Sequence, residues 1–304
     1  MKRAAGLLSL LVTVCAASLS GWAGEGHALV VRAAVQRLPG EVPRFLRRAG
    51  ARLVYLASEP DRWRGREEPS LGTFAPDHFL DMERLPRDFV FPPTRFEYYK
   101  DLYERRGKMS AETRDLLLPE AVGTQPYAAI EAFDRLKLSF RSYRQLKAAH
   151  RATGPVELAI VFYAGLLSHY VADAAQPLHT TVNYNGWVEA NPRGYRNTPD
   201  FHGQVDGAFV QGIALGSVTR LVRAPTPLPD PFSAYVSYLR ASFGRMERLY
   251  QLEQAGGFGE RRPEGPQFIL ERLAAGSQML VDLWLTAWRE SVVPPDWKPF
   301  RGGT

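Results

Sequence analysis

LAIVFYAGLLSHYVADAAQPLH, residues 158–179, is an apolar run that contains only a few polar side chains. His169 and Asp173 are four residues apart, which is about one helical turn, so both side chains leave the same face of a helix. Pro177 ends the predicted helix because proline lacks an amide proton and clashes with the preceding turn. His179 follows at once, so the sequence places imidazole and carboxylate groups together at one end of a buried helix.

A second pair, His202 and Asp206, repeats the four-residue spacing further along the chain. Imidazole and carboxylate ligands together suit a zinc ion. A carboxylate is buried only when it is paired or coordinates a metal, and Asp173 lies in an otherwise apolar helix. A lone histidine on an apolar face is usually a hydrogen-bonded core residue, but the combination of the two pairs with His179 favours a metal site.

The chain has 304 residues, of which 45% are hydrophobic, enough for one large core or two small ones. No internal repeat and no series of alternating strands is visible. The spacing of apolar residues predicts helices at residues 27–38, 43–59, 96–106, 125–152, 156–175, 201–223, 232–255 and 266–293. We therefore predict an all-α protein, with a single multi-helix domain over residues 22–304 and long functional loops between the helices.

Residues 61–94 are predicted to be irregular, because prolines and charges occur throughout this segment. A loop of this length inside a compact domain is usually functional. It contains the sequence DHFLD, residues 77–81, in which His78 lies between two aspartates. This histidine is therefore a further candidate for the metal site, whereas His150, at the end of a charged helix, is predicted to lie on the surface.

The N-terminus predicts a secretory signal peptide over residues 1–21. Lys2 and Arg3 form its charged start, residues 7–14 form its apolar middle, and small residues follow. The apolar part is too short for a transmembrane helix, so we expect a secreted or periplasmic protein without a stable membrane anchor. Cys15, the one cysteine, is removed with the signal, so the mature chain has no disulfide.

The net charge is mildly basic. Loss of Lys2 and Arg3 with the signal would lower the formal charge from +6 to +4. This charge is compatible with an anionic partner, such as nucleic acid or a lipid head group, and equally with a charge that only keeps the protein soluble. Nothing in the sequence indicates a protein partner.

Taken together, these residues resemble the zinc-dependent phosphodiesterase superfamily that joins bacterial phospholipase C to the single-strand-specific nucleases of fungi and plants. The positions that match, in chain order, are Trp22, His27, Asp61, His78, His169, Asp173, His179, His202 and Asp206. The resemblance therefore runs from residue 22 to residue 206, and beyond that only helical character is shared. It implies an all-α enzyme that holds three Zn²⁺ ions in a cleft.

The resemblance also implies how the ligands divide among the three zinc ions. The first zinc would be held by His179, His202 and Asp206. The second would be held by Asp61, His78, His169 and Asp173. The third would be held by the free amine and carbonyl of Trp22 and by His27, with Asp173 bridging the second and third ions. The amine of Trp22 becomes free only if the signal is cleaved after Gly21.

The implied reaction is hydrolysis of a phosphodiester by a zinc-bound hydroxide. The hydroxide would lie between the two bridged ions, and Asp61 would be the catalytic residue that orients it or takes its proton. Zinc supports this chemistry because it lowers the pKa of bound water to about 7 and neutralises phosphate charge.

The predicted substrate is single-stranded DNA or RNA, because three features resemble the nuclease branch. These are the short spacing from Trp22 to His27, the aspartate at position 206 and the long gap from His179 to His202. The implied substrate contacts are Arg64, Phe79, Asp81 and Asn185. The arginine would lie near the scissile phosphate, Phe79 would stack on a base and Asp81 would hydrogen-bond it. Stacking of this kind stabilises binding by about 1–3 kcal/mol per base. Asn185 would replace the asparagine of a Gly-Gly-Asn loop that the nucleases usually carry.

Two alternatives remain. The first is a phospholipase C acting on glycerophospholipids, in which Glu25, Tyr184 and Trp187 could begin a cation–π cage for a head group. The second is a non-enzymatic secreted helical protein with structural metals. Closed structural zinc sites use four protein ligands and are commonly rich in cysteine. The mature chain has no cysteine and would share a carboxylate between metals, which favours an open, catalytic cluster.

Overall fold

Helices form the regular structure of the protein, so the all-α prediction is confirmed. The computed structural model describes residue 22 and residues 24–64, 70–259 and 261–292. Within these ranges there is no strand, only one isolated bridge between Tyr184 and Gly186. The predicted signal peptide, residues 1–21, lies outside the described residues.

The α-helices, in chain order, are α1 (Gly24–Arg37), α2 (Arg44–Arg48), α3 (Gly50–Leu56), α4 (Glu59–Arg62), α5 (Arg95–Arg106), α6 (Pro119–Val122), α7 (Gln125–Ala148), α8 (Gly154–Ala175), α9 (Phe201–Gly203), α10 (Leu215–Leu221), α11 (Pro231–Phe243), α12 (Met246–Gln254) and α13 (Glu264–Glu290). Short 3₁₀ turns lie at Leu71–His78, Met82–Arg84, Arg114–Leu117 and Pro177–Thr180, and a π turn lies at Gln204–Ala208.

Helix α8 is the centre of the fold. It packs against α7, α13 and α3, and α1 packs in turn against α13. By length and composition alone α8 could cross a membrane, but 78% of its most apolar window is buried inside the protein, so we interpret it as a core helix. As predicted, it ends before Pro177: Gln176 has extended backbone angles, which a following proline favours. This end fixes the position of His169 and Asp173 in the last two turns.

Three predicted helices are divided in the structure. Residues 43–59 form α2, α3 and the first residue of α4, which continues to Arg62. The first break lies at Ala49, which has φ −83° and ψ 9° and is the boundary of both α2 and α3. Residues 232–255 divide into α11 and α12 near Gly244. Residues 201–223 form α9, the π turn and α10, and Gly212 between them has φ +82°. The spacing of apolar residues does not reveal such breaks, because the helices before and after each break bury apolar residues at the same spacing.

The close approach of α3 to α8 depends on a glycine. A Cβ atom at Gly165 would lie 2.3 Å from the Cβ of Leu56, so a larger residue would push the two helices apart. Leucine, valine and alanine side chains make up most of the core, and the aromatic residues Trp22, Tyr98, Tyr127, Tyr235 and Trp284 are fully buried within it. The packing therefore holds the ligand-bearing end of α8 rigidly among its neighbours.

Candidate metal centre and adjoining cleft

The structure brings the predicted histidine and aspartate ligands together in three groups. In each group one ligand atom per residue lies within 4.8 Å of the others. The groups are His27, His169 and Asp173; Asp61, His78 and His169; and His179, His202 and Asp206. His150 is exposed, as predicted. The protein therefore has buried groups that could hold metal ions, built from segments far apart in the sequence.

The orientation of His169 is fixed by a backbone group. Its Nδ1 donates a hydrogen bond to the carbonyl oxygen of Ala57 at 2.8 Å, which leaves the lone pair on Nε2. Metal-binding histidines usually have their second ring nitrogen held in this way. The Nε2 atom faces the Nδ1 atom of His78 at 2.8 Å and the carboxylate of Asp173 at 3.1 Å.

Asp173 connects the first two groups through its two oxygens. Its Oδ1 lies 3.2 Å from Nε2 of His27, and its Oδ2 lies 3.1 Å from Nε2 of His169 and 3.3 Å from Nδ1 of His78. An imidazole nitrogen has one lone pair and can bind one ion, so His169 can serve only one of the two groups that contain it. The carboxylate thus lies between the histidines of both groups, and its role as a bridge between two ions stays a prediction.

Trp22 lies directly beside His27. The Nδ1 atom of His27 donates to the Trp22 carbonyl oxygen, which leaves Nε2 directed at Asp173. The indole is completely buried, and a Cβ atom at Gly26 would lie 2.8 Å from the Trp22 Cβ, so glycine at position 26 makes room for it. The structure thus places the carbonyl of Trp22 against His27, and its binding of a metal stays a prediction. The free amine stays a prediction, because it requires cleavage after Gly21.

The third group, formed by His179, His202 and Asp206, lies after the end of α8. The Nδ1 atom of His179 donates to the carbonyl oxygen of His78 at 2.7 Å, and its Nε2 lies 3.2 Å from Nε2 of His202. His202 Nε2 is 2.7 Å from Oδ2 of Asp206. Asp206 lies in the π turn, a distortion that is frequent at functional sites. Gln176 donates to Oδ1 of Asp206 at 2.9 Å and so orients this carboxylate.

The electrostatics of these groups fit cation binding. Burial lowers the pKa of His78 to about 4, so this ring is neutral and can bind a metal. Burial also opposes ionisation of Asp173, but His169 and His179 hold the pKa of this carboxyl well below its usual range. For His27 burial lowers the pKa, but the Asp173 carboxylate outweighs it and raises the pKa to about 8. The result is an ionised carboxylate beside a neutral His78 ring and a His27 ring that must lose its proton before it can bind a metal.

By hydrogen-bond geometry, several buried nitrogen and oxygen atoms of the three groups have no partner among the described residues, although His27 Nε2 lies 3.2 Å from Asp173 Oδ1 and His202 Nε2 lies 2.7 Å from Asp206 Oδ2. These atoms are His27 Nε2, Asp173 Oδ1, His78 Nε2, His202 Nδ1 and Asp206 Oδ2. Buried polar atoms are normally satisfied, and an unpaired one in a native protein calls for an explanation such as an ion. Two of these atoms, His27 Nε2 and Asp173 Oδ1, face each other. A divalent cation would satisfy both, so the donor set fits a metal.

A cavity of about 460 Å³ opens beside the metal groups, and we call it the cleft. His78, His179 and His202 line it. All four predicted substrate contacts line it as well, namely Arg64, Phe79, Asp81 and Asn185. The structure therefore brings the predicted substrate residues and the predicted metal ligands to one surface.

Two of the four predicted substrate residues, Arg64 and Asn185, are held by hydrogen bonds to other residues of the protein. Arg64 donates to Oδ1 of Asp61 at 2.7 Å. The Oδ1 atom of Asn185 accepts from the backbone N–H of His202 at 3.1 Å, and its Nδ2 donates to the carbonyl of Pro199 at 2.9 Å. Asn185 thus holds the backbone at His202, and its contact with substrate stays a prediction.

Sequence reasoning missed two residues that orient others. Arg84 lines the cleft, and its Nε donates to Oδ2 of Asp81 at 3.1 Å; burial raises the pKa of Asp81 to about 6, although Arg84 opposes this shift. The three-residue spacing of the pair was the available signal. Gln176, which orients Asp206, could have been found as a polar residue between two ligands.

The cation–π cage considered for a head group does not form. Glu25 is exposed on α1 and is not among the residues that line the cleft. Trp187 packs instead on Tyr195 and Tyr250, with ring centroids 4.8 and 5.2 Å apart. Only Tyr184 lines the cleft. Comparison with known proteins gives no further assignment: no protein-family model matches the chain, and no curated protein matches it significantly.

Proposed function

We propose that this protein is a zinc-dependent phosphodiester hydrolase that cleaves single-stranded DNA or RNA. One observation carries the proposal. The Asp173 carboxylate lies within 3.3 Å of imidazole nitrogens from His27, His78 and His169, beside a cleft that also contains Arg64. A buried carboxylate shared by histidines, one of which, His78, lines the cleft, suits a catalytic metal pair.

The composition of the groups supports zinc in an open site. The group of His179, His202 and Asp206 has three side chains that no other group shares, and catalytic zinc sites use three protein ligands and leave a position for water. When bound, zinc would lower the pKa of that water to about 7 and polarise a phosphate oxygen. Structural zinc sites, by contrast, are closed by a fourth protein ligand. This group therefore favours catalysis over a structural role.

The side chains of the cleft have separate roles in the proposed reaction. Asp61, whose Oδ1 lies 3.8 Å from His78 Nδ1, accepts the proton of the attacking water. Arg64 holds this carboxylate with one N–H and offers a guanidinium, which suits a phosphate, to the cleft. Phe79 provides a stacking surface for a base. Asp81, oriented by Arg84, accepts a hydrogen bond from the edge of that base.

The two alternatives have less support. A phospholipase C would need a site for the head group, and Glu25 and Trp187 do not converge on the cleft with Tyr184. A protein with purely structural metals would have no use for a cleft lined by Arg64 and Phe79 next to the ligands. Export of the protein, with removal of residues 1–21, is part of the proposal because the amine of Trp22 depends on it.

The test is a comparison of substrates with the purified, signal-processed protein loaded with zinc. Single-stranded DNA, RNA and phosphatidylcholine are assayed side by side, each with and without a chelator. Chelator-sensitive cleavage of a single strand supports the proposal, and N-terminal sequencing checks that the chain starts at Trp22. Cleavage of the lipid alone would replace the nuclease with a phospholipase. Bound zinc without hydrolysis of any substrate would favour structural metals.

A further inference from the structure

A second cavity, of about 640 Å³, lies next to the cleft, and we call it the side cavity. It is lined by α5, α7, α8 and the 3₁₀ turn at Leu71–His78. Its wall is shared with the cleft, because consecutive residues line the two cavities alternately. Trp63, Phe74 and Asp77 line the side cavity, whereas the next residue in each case, Arg64, Ala75 and His78, lines the cleft. A ligand in the side cavity would therefore lie one wall away from the metal groups.

The walls of the side cavity carry many aromatic rings. Trp63 and Phe74 meet edge to face, with centroids 6.2 Å apart. Phe96, at the start of α5, is 84% exposed, and Phe74 is 42% exposed. Exposed phenylalanine rings beside a cavity lose water contact when a flat ligand stacks on them, which favours binding. These rings provide the surface on which such a ligand would lie.

The charged groups of the side cavity are already engaged in ion pairs, with one another or with a neighbour outside the cavity. Arg95 donates to Asp77 at 2.6 Å and to Glu131 at 2.8 Å. Asp134 is paired with Lys137 at 2.9 Å. A cation or a phosphate would therefore have to displace an existing ion pair. A hydrocarbon chain would lie against the buried ion pair of Asp77 and Arg95, which is unfavourable. The cavity suits a neutral, flat ligand with polar edges.

The hydroxyl of one buried tyrosine in the side cavity has no hydrogen-bond partner among the described residues. Tyr170 is 5% exposed and lines the cavity. Its backbone carbonyl accepts hydrogen bonds from Gln125 and Tyr235, but among the described residues its hydroxyl has no hydrogen-bond partner. A phenolic hydroxyl can donate to a ring nitrogen or a carbonyl oxygen at the edge of a ligand. This group and the rings together match the chemistry of a nucleobase.

We propose that the side cavity is a second nucleobase site, which takes the base of a nucleotide next to the one whose phosphodiester is cleaved. The proposal rests on the proposed nuclease function. Its volume falls within the range of about 300–1,000 Å³ that is usual for small-ligand sites. The shared wall explains how both sites can be used at once, since a strand that crosses it would place neighbouring bases on either side of Arg64.

The first experiment measures binding of a nucleoside, adenosine, to the zinc-loaded protein by equilibrium dialysis. The double variant Phe74→Ala/Phe96→Ala removes two exposed rings from the side cavity, and Tyr103→Ala is the control. Tyr103 lies on the same helix α5, is 49% exposed and does not line the cavity. We expect adenosine binding at one of two sites to weaken about 5- to 150-fold in the double variant and to be unchanged in the control. Phe79→Ala should instead weaken adenosine binding in the cleft, which Phe79 lines.

The second experiment compares hydrolysis of a dinucleotide and a hexanucleotide. Wild-type protein should have the lower KM for the hexanucleotide, and this advantage should disappear in the double variant while kcat is retained. The second site would be overturned if the double variant binds adenosine as tightly as Tyr103→Ala does and still has a lower KM for the hexanucleotide than for the dinucleotide. Absence of all hydrolysis would overturn the proposed function instead, and the dialysis result would still decide whether the cavity binds a base.

Discussion

The Nδ1 atom of His169 in α8 lies 2.8 Å from the carbonyl oxygen of Ala57, the residue that follows α3. This hydrogen bond couples the packing of two helices to the direction of a metal-facing lone pair. If α3 moves relative to α8, the ring either rotates or loses its partner. Metal binding should therefore respond to substitutions that lie well away from the ligands.

Gly165→Ala tests this coupling. The new Cβ atom would lie 2.3 Å from the Cβ of Leu56, so the helices must separate. We expect the free energy of unfolding to fall by about 1–3 kcal/mol, as in other overpacked cores, and zinc affinity to fall with it. Gly154→Ala, at the start of the same helix, meets nothing within 4 Å and should leave both unchanged. Denaturant unfolding and zinc titration measure the two effects; equal stability of the variants would contradict the coupling.

Asp173→Asn should affect two of the three groups at once. The amide keeps the volume of the side chain but loses the negative charge that faces His27, His78 and His169. We expect fewer zinc ions per chain by elemental analysis, no hydrolysis and a lower melting temperature, since metal binding contributes to folding free energy. Asp115→Asn, whose exposed carboxylate pairs with Arg106, is the matched control. Full activity of Asp173→Asn would be incompatible with the proposed function.

Gln176→Met should selectively lower the metal affinity of the group formed by His179, His202 and Asp206. The substitution removes the N–H that orients Asp206 at 2.9 Å and fills a similar volume. Removal of such an orienting group typically lowers metal affinity by about 10- to 100-fold. We expect competition with a chelator to release one class of zinc at lower chelator concentration, with the remaining zinc unaffected. Release of all zinc in a single step would argue against separate groups.

Alkaline pH should unfold the protein through its buried tyrosines. Burial raises the pKa of Tyr98 and of Tyr235 well above the usual value of about 10. Stability is complete below pH 10 and falls as the pH rises above it, because the unfolded chain then loses protons that the folded chain retains. Each such tyrosine contributes about 1.4 kcal/mol per pH unit.

Unfolding free energies measured from pH 9 to pH 12 check this slope, and Tyr98→Phe should reduce it because the variant has one buried hydroxyl fewer. The hydroxyl of Tyr98 donates to the Gly123 carbonyl oxygen, so the variant should also be less stable at pH 9. A slope identical to that of the wild-type protein would show that Tyr98 does not titrate on unfolding.

The sequence was sufficient where local spacing determines geometry. The four-residue spacing of His169 and Asp173 requires a shared helix face, and Pro177 determines where α8 ends. It was insufficient where distant segments meet. The orientation of His169 depends on Ala57, 112 residues away, and the side cavity depends on the packing of α5 against α7 and α8. The breaks at Ala49 and Gly244 were missed because the apolar pattern continues across them.

The apolar character of α8 also matters before the protein is folded. A segment as long and as apolar as α8 can partition into a membrane before the rest of the chain has folded around it. Asp173 and His169 lie in its last two turns, and ionisable groups resist transfer into hydrocarbon. The side chains proposed to bind metal in the folded protein would thus also direct the nascent helix away from the lipid and toward its own core.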